Sequence, residues 1–505
     1  MHAEIDRLKE LALEWSRLEQ VVAVLQWDQE TYLPEGAVEG RAEQAALLQG
    51  LVHDRITAPE VGELLARLGG TETDPPPAGD LDPTQAAIAR EAWRSHRRDT
   101  RLPKELVTEI ARQTTTNHAS WVKARQASRF DLFSGDLERT VDMTVRTANY
   151  LTPFAEPYDP LLDQYEPGGT AREVAAVFDE LQGGLTSLLV DLQASSAPID
   201  QELLERSYPV DGQRAFSMHL LQKMGFDFER GRLDESAHPF TSTLGPADVR
   251  LTTRFNPRFL ATSVFGSIHE GGHGLYEQGV SPDLAGTILA GGTSLGMHES
   301  QSRIWENILG RSLQFWRHFF PQLQRQFPNV LKGVAVDQFY RAINCVRPSF
   351  IRVEADEVTY NLHIMLRFRL ERRLVTGELT VAELPEAWRA ESRQLLGITP
   401  ERDADGVLQD IHWAMFLIGY FPTYALGNLY AAQLYATMRR ELDVDALLEG
   451  GKLAPILDWL QRAVHATGRT YPAADLCRLI TGEPLNPDHF SRYIQEKYRD
   501  IYGTG

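Results

Sequence analysis

The sequence predicts a mainly α-helical fold that carries one small antiparallel β-sheet. Three observations lead to this prediction. Apolar residues recur at helical spacing along most of the 505 residues. Prolines and glycines stand mainly where such stretches begin or end. The alternating pattern typical of strands is confined to residues 226–255, directly before another predicted helix.

The composition is that of an ordinary globular protein, with 43% hydrophobic and 24% charged residues. The net charge of −19 argues against a general nucleic-acid-binding surface and favours solubility. The two cysteines exclude a disulfide framework and fit a reducing compartment. The first residues lack a signal-peptide pattern, and no apolar run reaches membrane-spanning length. We therefore expect a soluble, cytoplasmic protein with no membrane segment and no nucleic-acid partner.

The first half of the chain reads as a series of helices. Residues 69–80 hold three consecutive prolines and predict a surface loop within this helical part. Thr170 is expected to cap one helix, and Asp211 is expected to cap another that ends near Gly225. The expected helices cover about residues 4–28, 40–54, 59–68, 83–98, 103–128, 137–154, 170–195 and 211–225.

Residues 226–255 should form the antiparallel sheet, with turns at Gly231, Gly245 and Pro246. Such a sheet would bring two polar segments, His238–Phe240 and 248–252, close to the helix that follows. The alternative interpretation of these segments is an ordinary polar sheet edge.

The helix expected from Pro257 to Gly279 contains His269-Glu270-Gly271-Gly272-His273. Residues four apart lie on one face of a helix, so the two imidazoles can reach a common divalent metal, most often zinc. Glu270 lies beside that face, where a carboxylate can take a proton from a water molecule on the metal. Chance alone would give this pattern in roughly a few per cent of such chains. The two glycines cost about 1 kcal/mol each relative to alanine, which suggests that another element closes in here.

Glu299 is the candidate for a third ligand. It lies 26 positions beyond His273, after a Gly- and Ser-rich loop at residues 286–296 and near the start of the next helix. A site of two histidines and one glutamate takes its glutamate from a second helix, and this spacing allows one. The alternative is a solvated first-turn glutamate favoured by the helix dipole. Together with the histidine pair, the ligand interpretation is favoured.

Two arginines, Arg347 and Arg352, flank Pro348 before another helix. The guanidinium group is well shaped to bind a carboxylate with two hydrogen bonds. The alternative for one of the two is a structural ion pair with a nearby acidic residue, which would be Glu354, Asp356 or Glu357.

His412 and Tyr420 are eight positions apart, close to a Gly–Pro break. Both can face a cleft and donate a hydrogen bond to a developing oxyanion. The alternative is a core aromatic cluster with Trp413, Phe416 and Phe421.

Six motifs in order resemble those of the carboxypeptidase Taq family of metallocarboxypeptidases. They are His238-Pro239-Phe240; Asp248-Val249-Arg250-Leu251-Thr252; His269-Glu270-Gly271-Gly272-His273; His298-Glu299-Ser300-Gln301; Ile351-Arg352-Val353-Glu354-Ala355-Asp356; and Gly406-Val407-Leu408-Gln409-Asp410-Ile411-His412-Trp413. One such motif would be weak evidence, but six in this order are highly specific.

The resemblance implies an almost all-helical fold with a deep groove, similar to neurolysin and angiotensin-converting enzyme. It implies one peptidase unit over residues 1–505, with subdomains of about 1–225 and 226–505 flanking the groove. It also implies removal of single residues from the C-termini of peptides, broad specificity with proline disfavoured, and a homodimer.

The resemblance also carries roles to individual residues. His269, His273 and Glu299 match the metal ligands, and Glu270 matches the general base. His412 and Tyr420 match the oxyanion donors. The substrate's terminal carboxylate is matched to Arg352, with Arg347 and His238 as further candidates. One divalent metal per chain is implied, with zinc favoured and cobalt also compatible.

One position departs from thermolysin-type enzymes, which carry an Asp four residues after the third ligand, where it orients a histidine. Arg303 occupies that position here, so another residue must orient the ligands. Two other functions stay open at this point. One is an oligopeptidase of the same fold that cuts peptides internally, and the other is a peptide-binding protein without catalysis.

Overall fold

The structure, a computed structural model, describes residues 2–195, 197 and 199–503. It confirms a mainly α-helical chain with one small sheet. In chain order the α-helices are α1 (His2–Thr31), α2 (Val38–Ile56), α3 (Pro59–Arg67), α4 (Pro83–Arg101), α5 (Lys104–Ala127), α6 (Asp131–Leu151), α7 (Asp159–Leu162), α8 (Ala171–Ala194), α9 (Val210–Met224), α10 (Leu260–Gln278), α11 (Leu295–Arg303), α12 (Leu313–Gln326), α13 (Pro328–Leu331), α14 (Val336–Ile343), α15 (Tyr360–Thr376), α16 (Leu384–Leu396), α17 (Pro422–Glu441), α18 (Val444–Glu449), α19 (Ala454–Ala463), α20 (Ala473–Thr481) and α21 (Asp488–Tyr502).

The ends of the early helices follow local sequence signals. Thr170 caps α8 as predicted, because its hydroxyl accepts a hydrogen bond from the backbone N–H of Glu173. Gly225 ends α9 with φ of 100°, a conformation that suits glycine. The predicted cap at Asp211 is wrong, since α9 begins at Val210 and Asp211 lies in its first turn. Pro257 also lies outside its predicted helix, because α10 starts only at Leu260.

The sheet has three strands, β1 (Gly231–Glu235), β2 (Thr241–Thr243) and β3 (Val249–Thr253), in the order β1-β3-β2. The prediction of an antiparallel sheet is correct for β2 and β3 but wrong for β1, which pairs with β3 in parallel. After β1 the chain crosses to the far edge of the sheet and forms β2 there. It then returns and forms β3 between β1 and β2. The Ser236 hydroxyl stabilises the bend after β1 through hydrogen bonds of 2.7 Å to the His238 carbonyl and to Thr252 Oγ1.

The chain divides into two compact units, each built from three segments. Unit 1 comprises Met1–Thr100, Ile199–Ile343 and Leu434–Pro484, and unit 2 comprises Arg101–Pro198, Asn344–Gln433 and Leu485–Gly505. The expected division near residue 225 does not coincide with these units. The reason is that both units recruit segments distant in sequence, which a linear reading of composition does not reveal.

In unit 1, one buried apolar cluster joins α1, α3 and α4 to residues 280–289. Helix α10 packs against α9, α11 and β3 in the same unit, so the sheet lies beside the candidate metal-binding helix as predicted. Unit 2 is organised around α15, which is buried along most of its length and contacts α6, α8 and α16. Within the described part of the chain, no helix is both long and apolar enough to cross a membrane.

Candidate functional site

The structure brings His269, His273 and Glu299 together at the crossing of α10 and α11. Glu299 Oε2 lies 3.8 Å from Nε2 of His269 and 3.5 Å from Nε2 of His273. The three candidate ligand atoms all lie within 4.8 Å of one another. Two imidazole nitrogens and one carboxylate oxygen at this separation form a donor set that suits a tetrahedral divalent metal with one open position.

The glycines of α10 explain why the two helices approach so closely. A Cβ atom on Gly272 would lie 2.6 Å from Cα of Ser302 in α11, so only glycine fits there without a shift. A Cβ on Gly271 would lie 2.5 Å from the Leu221 side chain in α9. The expectation that another element closes in on this face is therefore confirmed, and the elements are α11 and α9.

Each candidate histidine ligand has a partner on its other ring nitrogen. His269 Nδ1 lies 2.8 Å from Glu306 Oε2, and a carboxylate accepts the N–H, which leaves Nε2 with its lone pair. His273 Nδ1 lies 2.6 Å from His298 Nδ1, while His298 Nε2 lies 2.7 Å from Glu277. Because Glu277 accepts from Nε2 of His298, the His298 Nδ1 is free to accept from His273. Both imidazoles thus carry their proton on Nδ1 and leave the Nε2 lone pair available for a metal. The residues present therefore fit a divalent metal.

Arg303 occupies the position at which thermolysin-type enzymes carry an Asp that orients a histidine. It cannot accept a hydrogen bond as that Asp does, and it links two carboxylates instead. Its Nε donates to Glu299 Oε1 at 2.7 Å, and its Nη1 donates to Glu306 Oε2 at 3.2 Å. Residues Ile304–Leu309 form a π-helical turn directly after α11, which is a common feature of functional sites. This turn carries Glu306, the residue that orients His269.

Sequence reasoning missed Glu277, Glu306 and the orienting role of His298. The signal for His298 was present, since it adjoins Glu299 in one of the six motifs. Nothing in the local sequence marks Glu277 or Glu306, because their contacts arise only when the elements meet.

Electrostatics fit the same arrangement. Burial disfavours the charge of Glu299, but Arg303 and the two imidazoles outweigh burial and hold its pKa well below the ordinary range. Burial lowers the pKa of His273 to about 4, which keeps this imidazole neutral. For His269, burial lowers the pKa, yet the carboxylates of Glu299 and Glu306 raise it by more.

Glu270 lies beside the triad of candidate metal ligands, which are His269, His273 and Glu299, and is 5% exposed. The Thr241 hydroxyl on β2 donates to its Oε2 at 2.7 Å and fixes the carboxyl group. Burial raises the pKa of Glu270, which makes the carboxylate a better proton acceptor. The edge strand of the sheet therefore positions the predicted base. His238, in contrast, is exposed, and within the described part of the chain its imidazole forms no hydrogen bond.

In unit 2, Arg352 is 5% exposed and bound to an internal carboxylate. Its Nε and Nη2 donate to Asp410 Oδ1 at 3.1 and 2.9 Å, and Nη1 donates to the Tyr360 hydroxyl at 3.0 Å. The other carboxylate oxygen of Asp410 accepts from the fully buried Arg367 at 2.7 Å. The ion-pair interpretation thus holds for Arg352, but none of the three expected acids is the partner. Arg347 is exposed, and only its backbone N–H donates to Asp356.

His412 and Tyr420 lie close together, with ring centroids 5.6 Å apart. The His412 ring stacks on Phe421 at 4.3 Å, and its Nε2 lies 3.3 Å from the Tyr424 hydroxyl. Of the three residues expected in the alternative aromatic cluster, Phe421 has a ring contact with His412, whereas Trp413 pairs with Trp388. Burial lowers the pKa of His412 to about 4, so the imidazole is neutral. Its Nδ1 is buried and has no hydrogen-bond partner within the described residues, so it can still donate or accept a hydrogen bond.

Residues 7–498 match the family model described as carboxypeptidase Taq (M32) metallopeptidase. The chain is 42% identical over 512 residues to thermostable carboxypeptidase 1 of Thermus thermophilus, with 99% of both chains covered. It is 38% identical over 488 residues to carboxypeptidase 1 of Bacillus subtilis, with 96% of both chains covered.

Solved structures agree with these sequence matches. The M32 carboxypeptidase of Deinococcus radiodurans R1 has a TM-score of 0.94 and 38% identity, over 99% of this chain and 100% of the other. Trypanosoma cruzi metallocarboxypeptidase 1 has a TM-score of 0.93 and 32% identity, again over 99% of this chain and 100% of the other.

Proposed function

Because the chain belongs to the carboxypeptidase Taq (M32) family of metallopeptidases, we propose that it is a zinc-dependent carboxypeptidase that releases single amino acids from peptides with a free C-terminus. The observation that carries this proposal is the convergence of two oriented Nε2 atoms on Glu299, with Glu270 alongside. His269, His273 and Glu299 would hold the metal. When bound, zinc would supply a Lewis acid that polarises the scissile carbonyl and makes water more acidic. Cobalt suits the same donor set.

Glu270 acts as the general base in this proposal. Its carboxylate takes a proton from the attacking water and then delivers it to the leaving amine. The hydrogen bond from Thr241 holds the carboxyl group in one orientation for both transfers. Burial excludes competing water and raises the basicity of the group.

We assign His412 and Tyr420 to the developing oxyanion. A neutral imidazole with one unpartnered nitrogen and a phenol can each donate a hydrogen bond to it. Removing one such donor costs on the order of 10²- to 10³-fold in kcat in other hydrolases. Substitution of His412 by alanine or Tyr420 by phenylalanine should therefore lower kcat more than it changes KM.

Recognition of the substrate's terminal carboxylate is assigned first to Arg352. Three of its five N–H groups are engaged by Asp410 and Tyr360, so two remain to bind a carboxylate. Arg347 and His238 are the secondary candidates, and both have exposed side chains. Arg352→Lys should raise KM for free-acid peptides, whereas Arg347→Ala should change KM little.

The remaining parts of the proposal rest on the family resemblance. They are broad specificity with proline disfavoured, a homodimer in solution and a cytoplasmic location. Replacing a C-terminal alanine of a test peptide by proline should slow release, and light scattering should give twice the chain mass.

The proposed activity is tested by incubating a peptide ladder with the protein and reading the products by mass. Stepwise loss of single C-terminal residues is expected, and both EDTA and Glu270→Gln should abolish it. The general base is worth roughly 10²- to 10⁴-fold in rate. The Glu63→Gln variant, which alters an exposed ion pair with Arg67, is the matched control and should stay active.

The same assay separates the competing functions. A peptide amidated at its C-terminus should resist a carboxypeptidase but not an internally cutting oligopeptidase. Internal fragments would therefore contradict the proposal. An absence of hydrolysis after metal has been restored would instead indicate a peptide-binding protein.

A further inference from the structure

A buried carboxyl group in unit 2 has no part in the proposed chemistry. Glu371 lies on α15 and is 0% exposed. It accepts three hydrogen bonds, from the Tyr158 hydroxyl at 2.7 Å, from Trp413 Nε1 at 2.8 Å and from the Gly419 backbone N–H at 3.1 Å. Burial raises its pKa to about 7. A buried acid costs free energy that an apolar residue of the same size would not, so its presence calls for a reason.

Two of the three donors stand next to the proposed oxyanion donors. Trp413 directly follows His412, and Gly419 directly precedes Tyr420. The carboxyl group of Glu371 thus contacts both ends of the segment that connects the two residues. Its Oε1 binds the Trp413 side and its Oε2 binds the Gly419 side.

The segment between these two contacts forms a series of turns and contains neither a helix nor a strand. It turns back on itself through a hydrogen bond from the Leu417 N–H to the His412 carbonyl, at 2.9 Å. Phe416 adopts φ of 58° and Gly419 adopts φ of 97°, both in the left-handed region. A Cβ on Gly419 would lie 2.7 Å from the backbone of Leu161, so the chain is also confined there. Further backbone turn bonds run from the Met415 N–H to the His412 carbonyl and from the Tyr420 N–H to the Leu417 carbonyl. The contacts of Glu371 add to these bonds by tying both ends of the turn to α15.

We infer that Glu371 is a positioning residue that holds the segment from His412 to Tyr420 and so sets the orientation of both side chains. The inference rests on the proposed function, because the catalytic consequence follows only if these two residues bind the oxyanion. Glu371 itself does not contact the reacting atoms. It acts through the backbone of Gly419 and the indole of Trp413.

The chemistry of the three partners explains why an acid is needed. Above its pKa of about 7 the carboxylate offers only acceptors, and all three partners are donors in this arrangement. A glutamine of the same shape would turn an N–H₂ group toward at least one donor and leave that contact unmade. Two other titratable groups face Glu371. Tyr158 is one of its donors, and Arg367 is engaged by Asp410.

The test compares Glu371→Gln with Tyr158→Phe. The first disturbs a donor next to the proposed oxyanion residues, while the second removes only the donor remote from them. We expect Glu371→Gln to lower kcat roughly 10- to 100-fold and to change KM by less than about threefold. The expected loss is smaller than the cost of removing an oxyanion donor, about 10²- to 10³-fold, because the donors are displaced and not removed. Hydrogen exchange should accelerate in residues 411–421. Tyr158→Phe should leave kcat within about threefold, because it keeps the two contacts that Glu371 makes with Trp413 and Gly419.

Trp413→Phe provides a second variant should Glu371→Gln fold poorly. It keeps an aromatic ring but removes the donor to Oε1, so it should lower kcat with little change in KM. Metal affinity should be unchanged in all three variants, because the metal ligands lie in unit 1.

Three results would overturn the inference. One is unchanged exchange of residues 411–421 in Glu371→Gln. Another is accelerated exchange with unchanged kcat. The third is an equal loss of kcat in Tyr158→Phe, which would indicate a general packing role. A wild-type chain without peptidase activity would instead overturn the proposed function, and the exchange experiment would then still decide whether Glu371 holds the segment.

Discussion

Glu306 and His298 give the two candidate histidine ligands different surroundings. His269 donates to a carboxylate, whereas His273 donates to a neutral imidazole that is itself held by Glu277. A ligand that donates to a carboxylate becomes a stronger metal donor, and its ring is fixed more firmly. The affinity of the site should therefore depend more on Glu306 than on Glu277.

Glu306→Gln should weaken metal binding about 10- to 100-fold, the range expected when the partner of a ligand is lost. The amide keeps the shape but gives His269 a weaker acceptor and removes a negative charge next to Arg303. A competition titration against a chelator of known affinity measures the effect. Glu63→Gln serves again as the exposed control and should bind metal like the wild type, and equal affinities in the two variants would contradict the role of Glu306.

Asp410 binds two arginines, and its removal should be costly. Breaking a buried ion pair by removing one partner costs about 3–5 kcal/mol, since the other charge is left buried. Asp410→Asn should therefore lower the thermal midpoint well below that of the wild type. Asp131→Asn, in an exposed pair with Arg129, should cost less than about 1 kcal/mol. Similar midpoints for the two variants would show that the buried pair does not stabilise unit 2.

The Asp410 pair also predicts a pH dependence. Burial disfavours the charge of Asp410, but Arg352 and Arg367 outweigh burial and hold its pKa far below the ordinary 3.8. A carboxyl group with a lowered folded-state pKa stabilises the fold above its unfolded pKa and loses that effect as the pH falls further. The difference in unfolding free energy between wild type and Asp410→Asn should thus be constant above about pH 5 and shrink below about pH 4. A difference that grows on acidification would contradict this sign.

Local spacing was enough to predict that His269 and His273 share a face, because residues four apart on a helix do so. Glu299 became a candidate only in combination with this pair. The residues that orient them were not predictable. Glu306 reaches His269 through a π-helical turn, and Asp410 reaches Arg352 across 58 positions. Such contacts depend on tertiary structure, which single-residue patterns do not encode.

At the level of elements, the crossing of α10 and α11 is what assembles the triad. Gly272 allows the backbones to touch, and Glu299 lies one turn before the contact at Ser302. The two histidines can therefore meet Glu299 only because Gly272, which is not itself a ligand, stands between them in the motif. Helix caps and breakers predicted most ends of the early helices to within about three residues, but α6 starts at Asp131, six residues before the predicted start at 137. The direction of β1 was not predicted because its partner strand is not its neighbour in sequence.

Gly272→Ala should lower both stability and metal affinity, because the added Cβ would force α10 and α11 apart. Gly266→Ala on the same helix is the matched control, since its Cβ would meet Thr253 and Pro239 only at ordinary distances of 3.6 and 3.9 Å. Alanine in a helix is favoured over glycine by about 1 kcal/mol, so the control should be at least as stable as the wild type. Calorimetry and the chelator competition measure both effects. A Gly272→Ala variant that matches Gly266→Ala would show that the close approach does not hold the site.

On the scale of the whole molecule, the candidate metal ligands belong to unit 1, whereas the proposed oxyanion and carboxylate-binding residues belong to unit 2. His269, His273 and Glu299 all lie in a single segment of unit 1, within about 30 positions of one another, so they could be considered together from the sequence. The two units themselves could not be read from composition, because each is built from three separated segments. The family motifs nevertheless indicated residues from both units, since a motif reports chemistry without requiring knowledge of the fold.

The central claim is that one metal per chain, held by His269, His273 and Glu299, supports removal of C-terminal residues. Titration of the metal-free protein with Zn²⁺, with release of the C-terminal amino acid as the readout, tests it most directly. The rate should rise in proportion to added metal and level off at one equivalent per chain, and Glu299→Gln should need far more metal to reach any activity. Full activity without metal, or a Glu299→Gln titration that matches the wild type, would contradict the claim.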